Sequence, residues 1–346
     1  MASRARSDEL CQRALDLLAL HGTQRAAADA MGIKRTTFTD IIIDAKSRQL
    51  VGESERVELP VFPDDDIPVE DILDHLGKRY EKRRASYDAH TWFKVKVKDP
   101  KPIGIMWYGD PHLGDSGCDL PLLRHHCNLC VTTPGVYGAN IGDVGNNWSG
   151  KLAALYGKQE TSQKTEQKLA EWFMMGSGVR WLIWIIGNHD AWGDGATVLA
   201  HMAKKYGTNK IILHDWEARF SLVFPNGREF RVWASHDFKG HSDWNNMHGL
   251  LKAARLGVDA DLLVGGHRHN YGLQDIENPD KGIPQTLIRA RGYKTDDDYA
   301  RRIGHLEQRL GHAVFTILDP ETGEVTPFKN VDLGCRVLTM LRGGLR

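Results

Sequence analysis

Residues 181–190 read Trp-Leu-Ile-Trp-Ile-Ile-Gly-Asn-His-Asp. The six apolar residues make a run of strand length, and a glycine then lets the backbone turn sharply. Three side chains able to bind a metal or move a proton follow at once. Outward from this stretch the same arrangement recurs. Ile103–Tyr108 leads to Gly109-Asp110-Pro111-His112, and Val136–Ile141 to Gly142-Asp143-Val144-Gly145-Asn146. Phe230–Ser235 leads to His236, and Asp261–Val264 to Gly265-Gly266-His267-Arg268-His269. Helical stretches alternate with these runs from about Pro102 onward, which predicts an α/β domain. Open α/β sheets build their sites where these residues fall, at the carboxyl ends of strands.

A lone Asp-x-His is as readily a surface pair, and a lone Asn-His-Asp a turn. Five such clusters in series, most entered through glycine, are hard to read as five turns. Asp110, His112, Asp143, Asn188, His236, His267 and His269 offer nitrogen and oxygen donors and no thiolate. That mixture suits two borderline divalent ions better than Ca²⁺ or an iron–sulfur cluster; Mn²⁺ is the first expectation, with Fe, Zn²⁺ or Ni²⁺ as alternatives. Two ions roughly 3.5–4 Å apart acidify a bridging water and clamp the attacking and leaving oxygens of a phosphate ester. The glycine-flanked Asp143 is the candidate bridge, and His189 the candidate general acid. Asp190 is grouped with these two as catalytic. His241, five residues after His236, is the alternative ligand at that place.

The order Asp110-x-His112, Gly142-Asp143-x-x-Asn146, Gly187-Asn188-His189-Asp190, His236, Gly266-His267-x-His269 resembles the calcineurin-like metallophosphoesterase superfamily. It spans roughly Pro102 to Asn270, and the remainder to about Pro327 is expected to complete the second sheet. The resemblance implies a four-layer α/β/β/α sandwich with a dinuclear site between the loops of two sheets. It implies that Asp110, His112 and His269 hold one metal and Asn188, His236 and His267 the other, with Asp143 bridging and His189 catalytic. Ala191 leaves no cation where many members of that superfamily place one. Arg268, and Arg289, Arg291 and Lys294 of the stretch IRARGYK, are the replacement candidates, weighed against an ordinary solvated turn for the latter three. Asn146 is a substrate-binding candidate, although the adjacent Asn147 leaves open which amide faces the site. Trp148 and Trp192, just past two of the motif loops, are candidates to stack a base.

The 346 residues carry 45 Lys+Arg against 45 Asp+Glu. Zero net charge argues against a chain that coats nucleic acid indiscriminately. The apolar share of 41% and ten Trp suffice for a packed core. No apolar run approaches the roughly 20 residues of a membrane span, and MASRARSDEL leads into no secretory core. Five scattered cysteines point to reduced thiols and a cytoplasmic location. Cys127 and Cys130, beside His125 and His126, have zinc-like spacing, but with no second cysteine pair they read as ordinary thiols.

Three segments are expected: a helix-turn-helix over 1–50, an acidic linker with a basic helix and lead-in strand over 51–100, and the phosphoesterase domain over 101–346. Leu10, Ala14, Leu17 and Leu18 share a face of a first helix ending near Gly22. Ala28 allows two helices to cross closely, Gly32 makes the turn, and Phe38 and Ile41 anchor the next helix. Arg35, Thr36 and Thr37 then point outward as candidate DNA contacts, against a bundle that binds protein instead. Glu53, Glu55, Glu58, Asp64, Asp65 and Asp66 with Pro60, Pro63 and Pro68 read as linker, Val69–Ala89 as a helix, Trp92–Val97 as a strand. This front unit joined to GDPHLGDSGCDL and a late RGYK also resembles bacteriophage- and prophage-encoded metallophosphoesterases. The leading expectation is a DNA phosphodiesterase, a nuclease or nickase, with DNA as partner, no membrane and homo-oligomerisation open. The alternatives are a small-molecule phosphatase or phosphodiesterase whose front helices bind a protein, and a DNA-binding regulator with a structural metal site.

Overall fold

The computed structural model describes residues 6–52, 65–205, 211–242, 244–256, 258–278, 282–295 and 310–343. The chain divides into two compact units, Met1–Leu76 and Gly77–Arg346. The acidic Glu53, Glu55, Glu58 and Asp64 and the prolines Pro60 and Pro63 lie outside the described residues.

The first unit contains α1 (Asp8–His21), α2 (Gln24–Met31) and α3 (Arg35–Ser47). Ser7 Oγ and Thr23 Oγ1 accept from the Leu10 and Ala26 amides, capping the first two helices. Gly32 ends α2 at φ +72°, a left-handed turn that glycine adopts without steric cost. Ala28, Phe38, Ile41 and Ile42 are buried together. The buried face of α1 runs through Cys11, Ala14 and Leu15. Leu10, expected on that face, is 37% exposed; the Cys11 thiol takes its place as a small apolar group.

α4 (Val69–His90) matches the expected helix to within one residue. The second unit then alternates strands and helices: β1 (Thr91–Lys96), β2 (Ile103–Tyr108), α5 (Leu120–Thr132), β3 (Val136–Asn140), α6 (Gln163–Glu171), β4 (Trp181–Ile186), the single turn α7 (Asn188–Ala191) and α8 (Gly195–Lys205). Next come β5 (Leu213–Asp215), β6 (Glu217–Val223), β7 (Glu229–Ser235), α9 (His248–Arg255), β8 (Leu262–Gly265), β9 (Gly272–Glu277), β10 (Pro284–Arg289), β11 (Ala313–Leu318), β12 (Val325–Phe328) and α10 (Val331–Leu341).

They build two six-stranded sheets, in the orders β12-β11-β2-β3-β4-β5 and β1-β6-β7-β8-β10-β9. Alternation along the strands makes the layers. Ile103, Ile105 and Trp107 of β2 meet Phe220, Val232, Leu262 and Ile288 of the other sheet in one core. Met106 and Tyr108 point the opposite way, into a second core with Leu123, Cys127 and Cys130 of α5 and Leu338 of α10. Leu250, Ala253 and Ala254 of α9 cover the outer face of the second sheet beside Leu263 and Leu287. The result is the expected four-layer α/β/β/α sandwich, preceded by helices. One placement differs: β9 and β10 complete the second sheet, but β11 and β12 return to the first, with β11 antiparallel to β2. Every residue of β11 is buried, and its apolar side chains serve both cores, as a strand covered on both faces requires.

Candidate metal centre

The loops after β2, β3, β4, β7 and β8 bring their polar side chains together. His112 Nε2 and His269 Nε2 lie 3.1 Å apart, with Asp110 Oδ2 3.5 Å from the latter. Around His236 Nε2 stand Asn188 Oδ1 at 2.9 Å, His267 Nδ1 at 3.1 Å and Asp143 Oδ2 at 3.2 Å. Asp143 belongs to both sets: its carboxylate lies within 4.8 Å of ring nitrogens of His112 and His189, and of His236 and His267. His236 is therefore the clustered histidine, and His241 is an exposed residue.

These donors fit cations. The Ile141 carbonyl, 2.9 Å from His236 Nδ1, can only accept, so Nδ1 carries a proton and Nε2 is the nitrogen that faces the carboxylate and amide oxygens. Both oxygens of Asp110 are fully buried with no hydrogen-bond partner. Such a carboxylate is costly to bury unless a positive charge reaches it. Burial lifts its pKa to about 8. Burial opposes a charge on His236, yet the Asp143 and Asp110 carboxylates outweigh it and raise the ring to about 10. Burial lowers His267 and His269 to about 4, leaving neutral imidazoles, the form that binds metals. No pair of thiolates enters: Cys127 and Cys130 are buried in the core and pushed up to about 12.

The backbone is held in sparsely populated conformations to do this. His112, Asp143, His267 and His269 have φ of +45°, +53°, +66° and +49°. Four candidate ligands in the left-handed region show that the surrounding loops over-determine them. At Gly187 and Gly142 a side chain has no room. A Cβ on Gly187 would fall on Asp143 Oδ1 and 2.7 Å from the Asp143 nitrogen, and one on Gly142 would lie 2.6 Å from His236 Nδ1.

Asp190 is buried, and its two oxygens accept from three backbone amides, those of Asp143, Val144 and Gly187. It ties the β3 loop to the β4 loop, which makes it a positioning residue and not the directly catalytic group of the sequence reading. His189 donates from Nδ1 to the Asn146 carbonyl at 2.7 Å, which makes Nε2 the nitrogen that points away from that bond. Its backbone amide donates to Asp143 Oδ1. Asn147 resolves the question of the paired amides: its Nδ2 donates to the His189 and Trp192 carbonyls and holds that turn. Asn146 donates to Asp115 and Gln159, and its buried Oδ1 has no partner.

The basic candidates separate. Arg289 is 1% exposed and donates to the Gly266 and Asn246 carbonyls while pairing with Asp237, so it braces the His267 loop. Arg291 is buried, with Nη1 2.9 Å from His312 Nε2. Arg268 is partly exposed and pairs with Asp237. Lys294 lies 3.0 Å from Asp115, which also accepts from Asn146. The sequence reading missed Asp115 and Asp237, which hold these bases, and Trp216 beside His236. Trp148 and Trp192 do lie against the His189 ring, with centroids 5.2 and 4.1 Å away. Arg35, Thr36 and Thr37 are exposed on the first turn of α3.

No protein-family model and no curated protein matches the chain. Among solved structures it is similar to vacuolar protein sorting 29 from Cryptosporidium parvum (13% identity, TM-score 0.35, 66% of this chain and all of that one). It is similar also to the NAD nucleotidase NadN of Haemophilus influenzae (12%, 0.37), covering 66% of this chain and about half, 49%, of NadN. A third is the nuclease MPE of Pseudomonas putida (14%, 0.30, 65% and 87%).

Proposed function

We propose that this chain is a dinuclear-metal-dependent phosphodiesterase acting on DNA, as a nuclease or nickase. The observation that carries the reading is the pair of donor groups sharing Asp143, with His189 beside His112 and Asp143 and its Nδ1 held by the Asn146 carbonyl. Asp110, His112 and His269 would hold one divalent ion, Asn188, His236 and His267 the other, and Asp143 both; Mn²⁺ is the first candidate. Bound there, the ions would supply Lewis-acid polarisation of the phosphate and a nucleophile at neutral pH. His189 would protonate the departing alkoxide from Nε2, its ring fixed by the Asn146 carbonyl. Asp190 would keep the Asp143 and Asn188 loops in register. Lys294, beside Asp115, and Arg268 would supply positive charge for the phosphate.

DNA as substrate is supported by the exposed Arg35, Thr36 and Thr37 at the start of a helix that follows a glycine turn, the place a recognition helix presents to the major groove. The test is cleavage of supercoiled plasmid with Mn²⁺, beside hydrolysis of bis-p-nitrophenyl phosphate, for wild type and His189→Ala. Nicking that disappears in the variant is expected. Hydrolysis of the small diester with intact plasmid would remove DNA as substrate, and no hydrolysis of either would remove the enzyme reading.

A further inference from the structure

Three tryptophans border the candidate metal centre: Trp148, Trp192 and Trp216. Trp216 stands alone between β5 and β6, is 40% exposed, and adopts φ +65°. A large aromatic residue in left-handed backbone is uncommon and persists only where its surroundings enforce it. Here they do: its amide donates to the Ile186 carbonyl at the end of β4, and its own carbonyl accepts from the His236 amide at 2.8 Å. The indole meets the His236 ring edge-on, with centroids 5.1 Å apart, and lies 6.4 Å from that of His267. The strain therefore holds an apolar, partly solvent-facing ring beside one half of the metal centre. Trp148 and Trp192 border the other half, where His189 and His112 stand 5.0 Å apart.

We infer that Trp216 is a stacking residue for a nucleobase of the substrate, on the half of the centre that His189 does not border, with Trp148 and Trp192 serving the nucleoside that departs toward His189. The inference rests on the phosphodiesterase reading and adds the class of group on each side of the phosphorus: both are nucleosides. A phosphate ester with small alkyl groups would leave the exposed part of the Trp216 ring in water. A nucleobase has a π-face that any of the three indoles can cover, whatever its sequence. Trp148 is oriented for this by its Nε1, which donates to Gln159.

The experiment compares Trp216→Phe and Trp216→Leu with wild type. Phe keeps a π-face; Leu keeps apolar contact with His236 and loses the face. Substrates are thymidine 5′-(p-nitrophenyl phosphate) and methyl p-nitrophenyl phosphate, and the readout is the ratio of their kcat/KM values. A second readout needs no turnover: anisotropy of fluorescein-labelled pentathymidylate, against its abasic counterpart, with the protein held in EDTA. Trp216→Leu should lower the thymidine-to-methyl ratio and the preference for pentathymidylate over the abasic strand by about tenfold, and Trp216→Phe should restore most of both. Equal loss on both esters, or an unchanged strand preference, would overturn the stacking role while leaving the phosphodiesterase intact. If wild type hydrolyses neither ester, the phosphodiesterase reading itself falls, and only the strand preference then bears on Trp216.

Discussion

A methyl group at residue 187 would collide with the side chain that joins both donor sets, so the glycine there is a requirement of the site and not of the turn alone. Gly187 has φ −86°, which any residue tolerates, so Gly187→Ala tests the contact with Asp143 and not the backbone. Overpacking of this kind costs about 1–3 kcal/mol. Calorimetric titration with Mn²⁺ should show weakened binding, and a thermal melt a lowered midpoint; unchanged affinity would mean that Asp143 is free to move aside. Asp190→Asn probes the same loops from behind. An amide cannot accept from three backbone N–H groups with both its termini, so an NH₂ must face a donor, at about 1–3 kcal/mol. Loss of such a supporting partner commonly weakens metal binding by about 10–100-fold; affinity equal to wild type would reduce Asp190 to a packing role. The clustering of the candidate ligands was legible in the sequence because each is polar, close behind an apolar run and mostly beside a glycine. Trp216 was not, because its place depends on the meeting of β4, β5 and β7, and nothing adjacent to it in the chain marks that meeting.

Strands behave differently from single residues. β2 and β4 occupy the runs Ile103–Tyr108 and Trp181–Ile186 that their apolar residues define, because strands buried on both faces need no polar alternation. Partner choice was less accessible: β11 pairs with β2 across some 200 residues, and only the complementary surfaces of two cores decide that. Helix α5 shows how a polar side chain can be hidden within such a layer. His126 is 6% exposed, with Nδ1 2.7 Å from the Tyr293 hydroxyl, and Tyr108 donates its hydroxyl to the His126 carbonyl. Burial lowers its pKa to about 4, with His125 and His312 opposing the charge and Asp332 and Asp119 favouring it. The unfolded chain takes up this proton near pH 6.5 and the folded chain only near 4, so stability is intact above about 6.5 and lost as pH falls across that window. His214, 2% exposed and lowered to about 4 by burial, acts in the same direction. Urea midpoints measured from pH 7.5 to 4 should fall, by the equivalent of at most about 3 kcal/mol for each ring. The fall should be shallower in His126→Gln; a slope identical to wild type would assign the acid sensitivity elsewhere.

At the scale of the whole chain, two compact units raise the question of what the first contributes to chemistry performed in the second. The second has its own cores on both faces of the first sheet and outside the second, and every proposed metal ligand lies within it. A small diester should therefore be hydrolysed without residues 1–50. DNA is different, since a tethered binding module raises the local concentration of backbone phosphate at the catalytic unit, a gain that commonly exceeds tenfold. Deleting 1–50 should raise KM for plasmid by at least about tenfold and flatten the dependence of cleavage on salt, because fewer phosphates are neutralised on binding. Arg35→Ala with Thr36→Ala and Thr37→Ala should reproduce part of the effect in the full-length chain, as the three form the exposed first turn of α3. Parallel steady-state kinetics on plasmid and on bis-p-nitrophenyl phosphate at two salt concentrations separate the outcomes. A loss confined to plasmid and diminished at high salt assigns the front helices to DNA. An equal loss on both substrates would mean that they support the catalytic unit's fold, and no loss on either would direct them to a protein partner.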